Sequence, residues 1–120
     1  MSEYKVYYFD TYGYAECIRI LLDYVKANWE DVRLSREEFQ KLKADGKFEF
    51  GQVPALEHEG KVYTQTMAIL RSLGANNGLY SPDPITMWKI DSIIDAIKDI
   101  NQVFFTAFMK QDEEEKKKAI

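Results

Sequence analysis

Two places in the sequence put polar groups where a strand gives way to a helix, and each could steady a negative charge. The first is Tyr8, near the end of the run Tyr4 to Phe9; Asp10 to Gly13 breaks that run and a helical pattern follows. A phenol there can donate its hydrogen to an anion while the positive end of the helix acts in the same direction. The second is Gln65 with Thr66, where a short strand turns into a helix whose free N–H groups form an anion site. Each has a plainer alternative. Tyr8 can be one more core aromatic beside Tyr4, Tyr7 and Phe9, and Thr66 can simply cap its helix, a role compatible with anion binding. Cys17, the only cysteine, falls in a first helical turn, where a thiol can be acidified for redox work. It lacks the second cysteine of a Cys-x-x-Cys pair and lies inside the helix rather than ahead of it, so a small packed side chain is expected. His58, in a turn with Glu57, Glu59 and Gly60, is assigned no role, and no metal-ligand spacing, phosphate loop or nucleophile elbow is present.

The elements that must position these groups follow from pattern. Tyr4 to Phe9 is β-prone and nearly all apolar, as in a strand covered on both faces. Ala15, Ile18, Leu22 and Val25 recur at helical spacing through about Lys26, and Asp31 to Leu34 is a second strand. Ser35 with Glu38 three residues on forms a capping box for a short helix through Ala44. Asp45 to Val53 reads as loop. Val53 to Glu57 and Lys61 to Thr64 are two short strands about a turn in which Gly60 is free to take positive φ, and Pro54, having no N–H, suits a strand start. A helix from Thr64 or Thr66 runs to Gly74, with stop chemistry at Ala75 to Gly78 and a Ser81-Pro82-Asp83-Pro84 linker. From Ile85 to Met109 apolar residues fall three or four apart, the mark of one long amphipathic helix. The tail Asp112 to Lys118 sets acids four residues before lysines and reads as a solvated helical turn. The expected organisation is a β-α-β-α-β-β-α domain over residues 1–76, a linker over 77–84 and a helical segment over 85–120.

Composition narrows the class. With 120 residues, 46% apolar and 30% charged, the chain suits one ordinary domain with a real core. Its net charge of −4, with acids and bases interleaved, builds no basic face, so nucleic acid is not an expected partner. No stretch approaches the roughly 18 apolar residues of a membrane span, and the start carries no signal-peptide pattern. The single cysteine suits a reducing compartment, so the cytosol is expected.

Several strings go further. "YYFDTYGYAECIR", "FGQVPALEHEGKVYTQTMAILRSLG", "GLYSPDP" and "KIDSIIDAIKDI" resemble, in turn, the opening, the glutathione-binding stretch, the interdomain linker and the first C-terminal helix of sigma-, pi- and mu-class glutathione transferases. The resemblance covers essentially the whole chain and implies an α/β thioredoxin-like fold, with a mixed four-stranded sheet, followed by the first helix of an all-helical domain. It implies glutathione as substrate, no metal, and Tyr8 as the hydroxyl that holds the glutathione thiol as thiolate for attack on a small electrophile. Gln65 and Thr66 match the pair that holds the γ-glutamyl carboxylate, and Val53 precedes a cis Pro54, leaving its backbone to pair with the cysteinyl part like an added strand. Gln52 matches a second contact, Lys43 a cation near the glycyl carboxylate, and Asp99 an acid reaching the γ-glutamyl amine across a dimer interface. Asp99 reads equally well as one of a solvated row with Asp91 and Asp95.

Three departures stand out. Tyr14 replaces the family's usual arginine, Phe39 replaces a tryptophan, and Cys17 replaces a residue more often proline or aliphatic. The first two predict weaker glutathione binding, by about 1–3 kcal/mol each if the lost bonds were buried and charge-assisted. Phe104, Phe105, Phe108 and Met109 match the pocket-lining side of the first C-terminal helix, and Phe50 an aromatic inserted into a partner subunit. An apolar stripe of this size predicts a homodimer or helix-exchanged oligomer. With little of the second domain to hold an electrophile, turnover is expected to be low. The alternative is a non-catalytic glutathione-binding or dimerisation module.

Overall fold

The computed structural model describes the backbone of residues 2–118 and the side chains of residues 2–110, in two compact units, Met1–Tyr80 and Ser81–Ile120. In the first, the apolar run forms β1 (Tyr4–Phe9) and is buried along most of its length, because β1 is an inner strand covered on both faces. β2 (Trp29–Leu34) pairs with it in parallel, β3 (Ala55–His58) antiparallel on its other side, and β4 (Lys61–Thr64) closes the order β2-β1-β3-β4. This is the mixed four-stranded sheet of a thioredoxin-like fold. β2 starts two residues earlier than its sequence pattern suggests, since the parallel ladder already begins at Tyr4 opposite Trp29. β3 starts two residues later than expected and takes in His58, because the ladder with β1 runs only from Ala55 opposite Tyr7 to His58 opposite Tyr4. The turn between β3 and β4 puts Glu59 as well as Gly60 at positive φ, as a two-residue hairpin requires.

A 3-10 turn, Gly13–Ala15, leads into α1 (Glu16–Tyr24). α1 ends at a left-handed Lys26, with Lys26 and Ala27 N–H groups returning to the carbonyls of Asp23 and Leu22, a Schellman stop. The Ser35–Glu38 capping box forms in both directions, at 3.1 and 3.0 Å, and starts α2 (Arg36–Ala44). α3 (Thr66–Asn76) runs two residues past Gly74; the stop comes at Gly78, within the expected Ala75 to Gly78 stretch, where a positive φ lets Leu79 N–H reach the Gly74 carbonyl at 2.8 Å.

Side chains split between the two faces of the sheet. Tyr4, Val6, Tyr8 and Leu56 pack with Ile18 and Leu22 of α1 and with Ile69 and Leu73 of α3. Tyr7, Leu34, Phe48 and Ala55 form the other cluster, with Phe39 and Leu42 of α2 against it.

The second unit is one helix, α4 (Pro84–Lys118), about 50 Å long at 1.5 Å per residue. Asp83 caps it, accepting from the Thr86 N–H at 3.0 Å and the Thr86 hydroxyl at 2.9 Å, so Pro84 takes the first helical position, where no N–H is missed. The helix therefore begins one residue before its expected start and its backbone continues past Met109; the charged side chains of 112–118 lie outside the described residues. Among the described residues no helix is long and apolar enough to cross a membrane, and no group of three or more His, Cys, Asp or Glu is placed to hold a metal ion.

Candidate functional site

Register across the sheet decides which candidate residues meet. Tyr7, Ala55 and Thr64 form one row through β1, β3 and β4. Tyr8 is one residue beyond that row, Val53 and Pro54 are just ahead of Ala55, and Gln65 and Thr66 are just after Thr64. All five positions therefore line the same end of the sheet, on adjacent strands roughly 5 Å apart. Gln52 belongs to the same loop as Val53. Lys43, on α2, lays its side chain against Gly51: a Cβ there would come within 3.1 Å of the lysine Cε. Asp99 is on α4, in the second unit, with its side chain exposed.

Tyr8 is buried, and its hydroxyl oxygen accepts a hydrogen bond from the Tyr14 N–H at 3.3 Å. That N–H belongs to the 3-10 turn that opens into α1, so the phenol sits at the positive end of a helical run. Because the oxygen is the acceptor, the phenolic hydrogen is left for another partner. Gly13 makes the approach possible. It has a φ of +40°, and a Cβ there would overlap the Tyr8 hydroxyl and lie 2.8 and 2.9 Å from two ring carbons.

The loop that carries Gly13 is clamped by Arg19, which is only 3% exposed. Its guanidinium donates to the carbonyls of Thr11 at 2.7 Å and Phe9 at 3.4 Å and pairs with Asp31 and Glu16, each at 3.2 Å. Asp31 also pairs with Arg33 at 2.9 Å, and Arg33 reaches Asp10 at 2.8 Å. A buried arginine is tolerated because each face of its fork is met by an acceptor. The guanidinium carbon also lies 5.8 Å from the Tyr8 ring centroid. The sequence signal for this role is one arginine set among Ala15, Ile18 and Leu22 on an apolar helical face.

At the α3 corner, Gln65 is the N-cap, with φ +75° and ψ 102°, and makes no side-chain capping bond. Thr66 is the first residue of the helix rather than its cap, which corrects the capping alternative. The first N–H groups of α3 are thus without a side-chain cap, the condition for receiving an anion. A non-glycine residue at such a φ is uncommon and costs of order 1–3 kcal/mol, and sequence carried no sign of it. Next to it, Thr64 is buried and its hydroxyl has no hydrogen-bond partner among the described residues.

The Val53–Pro54 bond is cis. Among the described residues, Val53 takes part in none of the backbone bonds of loops and turns, so its main chain is open to pairing. Of the departures, Phe39 meets Phe9 edge-on with centroids 5.2 Å apart and stacks on Phe48 at 6.0 Å, with the Lys43 ammonium 5.9 Å from its ring. Tyr14 packs against the α1 core, and burial pushes its phenol up. Burial likewise pushes the Cys17 thiol up, and its Sγ–H donates to the Tyr14 carbonyl at 3.5 Å, a packed thiol rather than an activated one.

Residues 4–74 match a family model described as Glutathione S-transferase, N-terminal domain. The chain is 41% identical over 99 residues to glutathione S-transferase 1 of Ascaris suum, covering 82% of this chain and 47% of that one. It is 37% identical over 116 residues to the hematopoietic prostaglandin D synthase of Gallus gallus, covering 97% and 57%. The solved structure of the glutathione S-transferase from Ascaris lumbricoides aligns with a TM-score of 0.77 at 39% identity, over 88% of this chain and 51% of that one. The chain spans about half the length of the relatives it matches.

Proposed function

This chain belongs to the glutathione S-transferase family, and from that premise we propose that it binds glutathione at the sheet end beside Tyr8 and ionises the thiol for attack on an electrophile. The observation that carries the proposal is the Tyr8 hydroxyl: its oxygen is occupied by the Tyr14 N–H, and its hydrogen is available at the same sheet end as Val53 and the α3 corner. Lowering a thiol pKa by two units takes about 2.7 kcal/mol. A charge-assisted hydrogen bond supplies roughly 1.5–3 kcal/mol and a helix start roughly 0.3–1 kcal/mol, so the two together, roughly 1.8–4 kcal/mol, span the requirement.

The remaining residues take the parts the family resemblance gives them. The Val53 main chain pairs with the cysteinyl unit, Gln65 and Thr66 with the uncapped α3 start receive the γ-glutamyl carboxylate, Lys43 approaches the glycyl carboxylate, and Gln52 makes a second glutathione contact. Asp99 would act on a second copy of the chain in a homodimer or helix-exchanged oligomer. In the reaction the thiol proton passes to solvent, sulfur forms a bond to the electrophilic carbon, and that carbon gives up its leaving group or an electron pair. The cytosol, with its reducing conditions and glutathione, is the proposed setting. A second reading, a module that keeps the fold and loses the chemistry, draws on Tyr14 and Phe39, whose side chains are spent on packing.

Titrating glutathione calorimetrically into the chain and into its Tyr8→Phe variant, with the ultraviolet thiolate band read on each complex, separates these readings. Binding to both, with the band present only in the unmodified chain, is expected. Binding without a thiolate band in either would favour the non-catalytic module, and no binding at millimolar glutathione would sink the enzyme reading and leave a fold retained for assembly alone.

A further inference from the structure

The loop from Asp45 to Pro54 carries Gln52 and Val53 and supports Lys43 through Gly51, yet it contains no regular structure of its own. Something must hold it at a fixed height on the sheet. α2 ends in a Schellman stop, with Gly46 at φ +78° and the Lys47 N–H bonded to the Leu42 carbonyl at 3.1 Å, which aims Lys47 back at the sheet. The Lys47 ammonium then donates to Glu57 Oε1 at 2.9 Å, and the Tyr7 hydroxyl donates to the same oxygen at 3.1 Å. The ammonium also lies 4.8 Å from the Tyr7 ring centroid. The side chains of Lys47 and Glu57 are each only about one-quarter exposed, so the pair is shielded from salt better than a surface bridge. Each partner favours the charged form of the other: Glu57 holds Lys47 above the usual lysine range, and Lys47 holds Glu57 below the usual carboxylate range.

The three groups come from three segments that each adjoin the site. Tyr7 directly precedes Tyr8 on β1, Glu57 follows Pro54 by three residues on β3, and Lys47 is the third residue of the loop. Phe48 beside it is buried, edge-on to Tyr7 at 6.1 Å, and its carbonyl accepts the Gly51 N–H at 2.9 Å. We propose that Lys47, Glu57 and Tyr7 form a clamp that sets the height and register of the glutathione-binding loop, so that Lys47 is a positioning residue for this site. The inference rests on the proposed glutathione site. The clamp grips the loop rather than the sheet, because Lys5 stands directly opposite Glu57 in the ladder and remains as a basic neighbour when Lys47 is lost.

The test is glutathione affinity and steady-state conjugation for Lys47→Met and Lys47→Arg, with amide hydrogen exchange over residues 48–53. Lys47→Met should raise the glutathione Kd and KM about tenfold, as expected when a binding loop is misplaced slightly, and leave kcat at saturating glutathione within about twofold. Exchange in the loop should quicken while β1 and β3 stay protected, and Lys47→Arg should recover most of the affinity. A Lys47→Met chain that binds glutathione as the unmodified chain does, even with a lowered melting midpoint, would overturn the clamp alone. A kcat that falls in step with kcat/KM would overturn it too, by moving the loss to Tyr8. An unmodified chain that does not bind glutathione would overturn the clamp together with the site on which it rests.

Discussion

α1 and α4 carry the same three-to-four spacing of apolar residues and end in opposite conditions. Ile18 and Leu22 of α1 are fully buried between the sheet and α3. On α4, Phe104 is 70% and Phe108 67% exposed, and Ile93, Ile100 and Val103 are exposed as well. Periodicity thus reports which side of a helix is apolar and says nothing of whether that side is met. Burial needs a facing surface, and for α1 it is supplied by Tyr4, Val6, Tyr8 and Leu56, brought together by long-range strand pairing. The difference matters for function because the surface that covers α1 includes the ring of Tyr8, so packing and the proposed chemistry share one set of residues.

The sharpest way to break the comparison is to truncate one large apolar residue to alanine on each face. Leu22→Ala should cost about 2–5 kcal/mol in urea unfolding, the price of a core cavity. Phe104→Ala should fall within about 0.5 kcal/mol, as for other exposed positions. Equal losses would mean that the α4 face is covered in solution. Repeating the Phe104→Ala measurement across a range of protein concentrations would then show whether a second copy of the chain covers it, since a dimer's stability rises with concentration.

Local chemistry was legible and long-range chemistry was not. The Ser35–Glu38 box, the Gly60 turn and the Gly78 stop were readable because each lies within a few residues of the atoms it satisfies. The limits of β2 and β3 were off by two residues because strand pairing with β1, not local pattern, sets where each ladder begins. At the candidate site, Tyr8, Val53–Pro54 and Gln65–Thr66 came from family strings, and the register then brings them to one end of the sheet. What stayed hidden were ties between distant segments: Arg19 to Asp31 and Thr11, Lys47 to Glu57, and the stacking of His58 on Tyr4 with centroids 4.2 Å apart. His58, given no role from sequence, also has Nδ1 3.0 Å from the Glu3 carbonyl oxygen, a packing role at the end of an inner strand.

Gly13→Ala sharpens the link between packing and chemistry on the α1 side. Its Cβ would overlap the phenol of a buried tyrosine, so the turn or the ring must shift. Overpacking of this kind costs about 1–3 kcal/mol, and the positive φ adds to it. The Tyr14 N–H to Tyr8 bond should be lost with the shift, and so the thiolate band of bound glutathione should fade although Tyr8 itself is kept. A band of unchanged intensity in Gly13→Ala would detach the phenol's orientation from this turn.

The smallest effect should be the most telling, because stability and binding are expected to move in opposite directions. Gln65 holds φ +75° at the cap of α3 without a capping bond, a conformation that costs an amide side chain but not glycine. Gln65→Gly should therefore leave the fold unharmed or raise its stability by up to about 1 kcal/mol, the relieved backbone being partly offset by the greater freedom of an unfolded glycine. Glutathione affinity should nevertheless fall, since the variant keeps the α3 N–H groups but loses the side-chain amide proposed to contact the γ-glutamyl end. Strain kept where it binds ligand would be its signature. If the variant is less stable and binds glutathione unchanged, the positive φ is no more than a feature of the β4-to-α3 turn, and the anion site reduces to the helix start alone.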